Sequence, residues 1–103
     1  MGQIQISSPF LKSITHSDFN VTATTGATKQ QILTPSANVG EKRVVVIIQN
    51  KASSAKLTVI GNATDTVGIE VTAGSTLKLD NYNGGLWAFG SAAVNTGINI
   101  SAV

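Results

Sequence analysis

Apolar and polar positions alternate with a period of two along much of this chain. The clearest run is "GIEVTAGSTLKLDNYNGGLWAFG", residues 68–90. Period two puts successive side chains on opposite faces, the geometry of a strand buried on one side. In "IEVT", Ile69 and Val71 point one way, Glu70 and Thr72 the other. "TLKLD" returns with Leu77 and Leu79 inward and Lys78 outward. Ala73-Gly74 between them predicts a tight hairpin, because glycine takes positive φ without steric cost. Asn83-Gly84 predicts a second, since Asn-Gly is the strongest short hairpin signal. In "LWAFG" beyond it, Trp87 and Phe89 share a face opposite Leu86 and Ala88.

Elsewhere the pattern is strand-like but shorter. "RVVVIIQN", residues 43–50, has five consecutive β-branched apolar residues. Such residues favour strand over helix, and a run without polar alternation predicts a central strand buried on both faces. The amides of Gln49 and Asn50 at its end suit bonds to loop backbone. "KLTVIG", "INISA", "QQILT" before Pro35 and "FNVTATT" from Phe19 complete the set, with loops in "PSANVGEKR", "KASSA" and "NATDTVG". No stretch carries a helical stripe. Several short strands separated by turns predict an all-β fold, a small antiparallel β-sandwich or barrel of jelly-roll type.

The first residues differ. "QIQIS", residues 3–7, alternates, but Pro9 cannot donate to a ladder. Residues 1–18 therefore form an extended N-terminal arm or an edge strand, and residues 19–103 a single β-sandwich domain. The arm carries Ile4, Ile6, Phe10, Leu11 and Ile14 with too little periodicity to anchor itself. It either adds to the sheet of a neighbouring molecule or is the first strand of its own sandwich.

Composition narrows the function classes. The chain has 103 residues, one domain's worth. Charged residues make up 12%, about half the usual ~25%, and Ser, Thr, Asn and Gly replace them. Such a surface suits a protein covered by neighbours, because charge is depleted at interface cores. The net charge is +2, and Lys42-Arg43 is the sole adjacent basic pair, which argues against nucleic acid. The longest apolar run, residues 44–48, is too short to span a bilayer. Residues 1–13 lack the charged and apolar regions of a signal peptide, so synthesis in a cytoplasm is expected. Without cysteine there is no disulfide, thiolate or Cys-based metal site.

Reactive side chains are few. His16 stands two residues from Asp18 in a segment whose polar residues predict flexibility, and no G-x-S-x-G elbow accompanies them. A solvated or interface histidine is expected rather than a triad. "NATDT" offers oxygens to a cation, but such loops are common for turn reasons alone. No enzyme and no cofactor are expected. Tyr82, Trp87 and Phe89 cluster in sequence; core or subunit contact is expected over a sugar platform.

The order of these elements resembles a family. "VTATTGATKQQIL" precedes the loop "PSANVGEKR" and the strand "RVVVIIQN"; then come "KASSAKLTVIG", "GIEVTAGSTLKL", "YNGGLWAFGSAA" and "GINISAV". Across residues 19–103 this is similar to the small all-β virion proteins of tailed bacteriophages. The resemblance implies a capsid decoration (cement) protein, made in the host cytoplasm and carried on the virion surface. It would bind the major capsid protein and its own copies, as a homo-oligomer with a trimer favoured, and bridge shell subunits. Ile4, Ile6, Phe10, Leu11, Ile14, Tyr82 and Trp87 are the expected contact residues. The alternative it implies is a head-fibre or tail module for host-surface glycan adhesion.

Overall fold

A computed structural model describes Leu11, residues 13–36 and residues 42–103. Among these residues eight strands occur: β1 (Ser13–Val21), β2 (Gln30–Leu33), β3 (Arg43–Asn50), β4 (Leu57–Ile60), β5 (Ile69–Val71), β6 (Thr76–Asp80), β7 (Leu86–Gly90) and β8 (Val94–Ala102), with a single 3-10 turn at Gly26–Thr28. They form two four-stranded antiparallel sheets, ordered β1-β8-β3-β6 and β2-β7-β4-β5. Successive strands trade sheets everywhere except between β4 and β5. This is an eight-stranded jelly roll, a sandwich rather than a closed barrel.

The two predicted hairpins are therefore corrected. β5 and β6 lie in different sheets, as do β6 and β7. The turn at Gly74 is real: its φ is +77 and Ser75 N donates to Thr72 O at 3.0 Å. It carries the chain across the sandwich rather than back along the same sheet. Gly84 does not take the positive φ of a hairpin turn; Asn81 does, at φ 55. Asn83 instead accepts from Arg43 N on its side chain (2.9 Å) and from Ser36 N on its carbonyl (2.9 Å). A turn signal marks where the chain bends, but the apolar face each strand must cover decides which sheet it joins.

β3 is central, between β8 and β6, but it is not buried on both faces. Val46, Ile48 and Asn50 are buried, whereas Val45, Ile47 and Gln49 are half-buried on the outside. A two-layer sandwich covers only one face of each sheet. Inside, Val46, Ile48, Ile98, Val94 and Val21 of one sheet meet Leu57, Val59, Val71, Leu86 and Ala88 of the other. In β5, Val71 joins this core, but Ile69 at the sheet edge stays 52% exposed.

Each end of β3 also carries a polar tie between the sheets. Arg43, 8% exposed, donates from its guanidinium to Thr34 O (2.8 Å) and Gly84 O (3.3 Å). Asn50, 2% exposed, donates from Nδ2 to Ala55 O and Val71 O, both at 2.8 Å, and accepts from Ala52 N at 2.9 Å.

The expected division at residue 18 falls inside β1. From Ser13 to Val21 every residue pairs with β8, Ser13 opposite Ala102 and Val21 opposite Val94. Residues 13–18 are thus part of an edge strand. "QIQIS" and the predicted contacts Ile4, Ile6 and Phe10 lie outside the described residues.

Candidate interaction surfaces

The outward face of the first sheet is polar and laced together across strands. Registry sets His16 opposite Asn99 and Asp18 opposite Gly97. His16 Nδ1 donates to Asn99 Oδ1, its Nε2 lies 3.4 Å from Asp18, and Lys51 Nζ donates to Asp18 at 2.7 Å. Asn99 Nδ2 reaches Gln49 Oε1 at 3.4 Å. Gly97 leaves the space that Lys51 and Gln49 cross: an added Cβ would stand 2.8 Å from Lys51 Cε and 2.9 Å from Gln49 Oε1. His16 is therefore held in a regular strand, not in the flexible segment that its polar surroundings predict. A strand's pairing comes from β8, some 80 residues away in sequence, which local polarity hides.

The hydrogen bond from Lys51 holds the Asp18 carboxyl below its ordinary range; desolvation opposes it, and the nearby Lys51 and His16 add smaller lowering effects. A carboxyl depressed in the folded state contributes stability that is present above its unfolded pKa and lost as pH falls through the folded one. Asp18→Asn should therefore lower the urea midpoint near neutral pH, and the gap to the native protein should close in acid. Urea titrations at both ends of that window check it.

The outward face of the second sheet holds the aromatics. Registry places Trp87 opposite Ile60 and Gln31, and Phe89 opposite Thr58, which itself faces Glu70. Leu86 and Ala88 take the core side, as their alternation with Trp87 and Phe89 predicts. Ile60 is 2% exposed although it faces outward. The loop of residues 61–68 folds back over it: Gly68 is so close that a Cβ there would lie 2.8 Å from Ile60 Cγ1. Beside it opens a groove of about 420 Å³, lined by Thr58, Thr66, Val67, Gly68, Glu70 and Phe89. The loop's own Asn62-Thr64-Asp65 segment closes on itself. Asn62 Oδ1 accepts from Thr64 N (3.1 Å) and Oγ1 (3.0 Å), and Asp65 N donates to Asn62 O (3.1 Å). These bonds are those of a turn closed by an Asn side chain; no group of three or more metal-ligating side chains occurs among the described residues.

The expected contact residues separate. Leu11 and Ile14 are 50% and 74% exposed at the start of β1. Trp87 is half-buried on the other sheet's outer face. Tyr82 is half-buried, packs against the core and donates its hydroxyl to Gly85 O. Its polar tip is used internally, so Tyr82 reads as a brace for the β6–β7 crossing. Glu70, Thr66 and Val67 have no signal in the sequence, because only the β7–β4–β5 registry and the fold-back of residues 61–68 bring them to the groove that Phe89 lines. Neither protein-family models nor curated proteins give a match to this chain.

Proposed function

We propose that this chain is a non-enzymatic virion structural protein, a capsid decoration protein that binds the outer shell and stabilises it by bridging capsid subunits. One observation carries the reading beyond the resemblance. Leu11 and Ile14 stand exposed where β1 begins, directly after the apolar Ile4, Ile6 and Phe10 in sequence. Among the described residues neither side chain belongs to the core, and their exposed area is what burial against a neighbour would cover. A jelly roll occurs among viral capsid and lectin domains, which agrees with the reading by analogy of fold alone. Binding to the assembled shell and not to its separated subunits would stabilise the particle by mass action.

The test is co-sedimentation with matched phage heads, before and after expansion, and with tails. Saturable binding to expanded heads, with a more heat-resistant particle, is expected. Leu11→Ser/Ile14→Ser should keep the native melting temperature and weaken head binding at least roughly tenfold, since burying one such side chain contributes about 1.5–3 kcal/mol. Deleting residues 2–17 is a poorer probe, because it removes residues 13–17 of the β1–β8 ladder. Binding to tails alone, or to neither, would reject the reading.

A second reading, glycan adhesion by a head-fibre or tail module, is favoured by the groove beside Phe89. An aromatic floor flanked by a carboxylate and threonine hydroxyls is the chemistry that holds a sugar ring. In the same tail-binding outcome, host-surface glycans should change Trp87 fluorescence, and Glu70→Gln should abolish the response.

A further inference from the structure

We infer that two copies of this chain join edge to edge through β1, in an antiparallel two-fold centred on Ser17. An edge strand presents unpaired backbone groups, and proteins ordinarily blunt such edges by shortness, bulges or lysine. Three of the four edges here are blunted. β5 has three residues. β2 has four and carries a register shift. β6 has five and bears Lys78 on its outside, 62% exposed. β1 is different. It runs nine residues in unbroken register with β8 and contains no Pro, Gly, Lys or Arg. Among the described residues only β8 pairs with the backbone of residues 13–20.

The side chains choose both the partner and the register. A two-fold normal to the sheet keeps inward faces with inward faces, so the axis must pass through a residue. Ser17 is the midpoint of β1, and centring there pairs all nine residues. It sets His16 opposite the partner subunit's Asp18, and Asp18 opposite the partner subunit's His16. The two rings and two carboxylates then alternate around the axis, with Lys51 already beside each Asp18. Moving the axis by one residue costs two pairs and puts His16 on His16 or Asp18 on Asp18. Two carboxylates directly opposite are destabilising, and two facing rings give up the ring–carboxylate contact. Ser17, exposed in the single chain, meets only its own copy on the axis. Such a contact closes as a dimer, not as the trimer that the family resemblance implies, and it does not depend on the capsid reading.

Ser17→Cys tests it directly, because the chain has no cysteine of its own. Residues facing each other across antiparallel strands have Cα atoms about 4.5–5.5 Å apart, within disulfide reach. Mild oxidation should cross-link Ser17→Cys into a covalent dimer. It should leave Thr15→Cys single, since its two copies would lie about 13 Å apart along the strands. The native chain should sediment as a dimer with rising concentration, and Ser17→Lys should weaken that dimer roughly tenfold. Sedimentation of the native chain as a monomer up to its solubility limit would overturn the proposal. So would a dimer in which Ser17→Cys, folded by its melting curve, does not cross-link while Thr15→Cys does.

Discussion

Asn50→Ala should lower the unfolding free energy by about 3–5 kcal/mol, read from the urea midpoint at constant m-value. The side chain is 2% exposed and makes three hydrogen bonds: two to the carbonyls of Ala55 and Val71, and one from Ala52 N. Alanine leaves two buried acceptors and one part-buried donor without their side-chain partner. Each such orphan costs about 1–3 kcal/mol. The backbone of Asn50 would keep its own bonds to Ser75 O and from Gly74 N, so the loss isolates the side chain. Asn50→Asp separates shape from hydrogen bonding. It preserves the volume, yet turns a carboxylate oxygen toward two carbonyls that need a donor. Its stability at neutral pH should fall at least as far as that of Asn50→Ala and recover in part in acid, where a protonated carboxyl can donate once. An Asn50→Asp protein as stable as the native one would show that this amide does not hold the sheets together. Against a typical total of about 5–15 kcal/mol for a whole domain, either variant approaches unfolding.

Gly90→Ala should cost about 2–3 kcal/mol, and Gly97→Ala less than about 1 kcal/mol, in the same titration. Neither glycine sits at positive φ, so the difference is one of space. A Cβ on Gly90 would stand 2.4 Å from Ala92 O, 2.7 Å from Val94 Cγ2 and 3.2 Å from Lys56 O. Two of those neighbours are backbone. They cannot swing away without disturbing the end of β7, where Gly90 pairs with Leu57 and donates to Ala23 O. On Gly97 the new methyl would meet only the far ends of Lys51 and Gln49, on the outer face of the sheet. Long side chains can rotate aside there, at the expense of a weakened Lys51–Asp18 contact. Equal losses at the two sites would mean that strand propensity, not the clash at β7, governs the cost.

Much of the framework is legible in the amino-acid order. The alternation in "LWAFG" assigns Leu86 and Ala88 to the core and Trp87 and Phe89 to the outside, and registry agrees. Period two needs no tertiary knowledge, because a strand half-buried in any sheet must obey it. The β-branched run marks β3 as a strand, and it is central in its sheet, but the second buried face that such a run predicts is absent because a two-layer sandwich covers only one. Asn50 at its end was readable as a residue that bonds to backbone, though not as one that reaches another sheet. Leu11 and Ile14 stood out because nothing in the local pattern gives them a face to cover.

What only the tertiary structure decided is pairing. Gly74 and Asn83-Gly84 mark bends, but a bend looks the same whether the next strand returns beside the last or crosses to the opposite sheet. The answer depends on which apolar faces remain open once β3, β4 and β8 are in place, and those residues lie tens of positions apart. The same holds for each surface with functional promise. Glu70 reaches the groove of Phe89 across Thr58, Lys51 comes beside Asp18 and His16 beside Asn99 only through the packing of segments distant in sequence. Sequence by itself determined the all-β class, the position of most strands, the two faces of β7 and the absence of thiol chemistry, because these follow from each residue's own geometry and composition; the start of β1 at Ser13 and the half-exposed outer face of β3 did not. The jelly-roll order, the ties at Arg43 and Asn50 and the edge position of β1 in its sheet arise from contacts between distant segments, which no local pattern encodes.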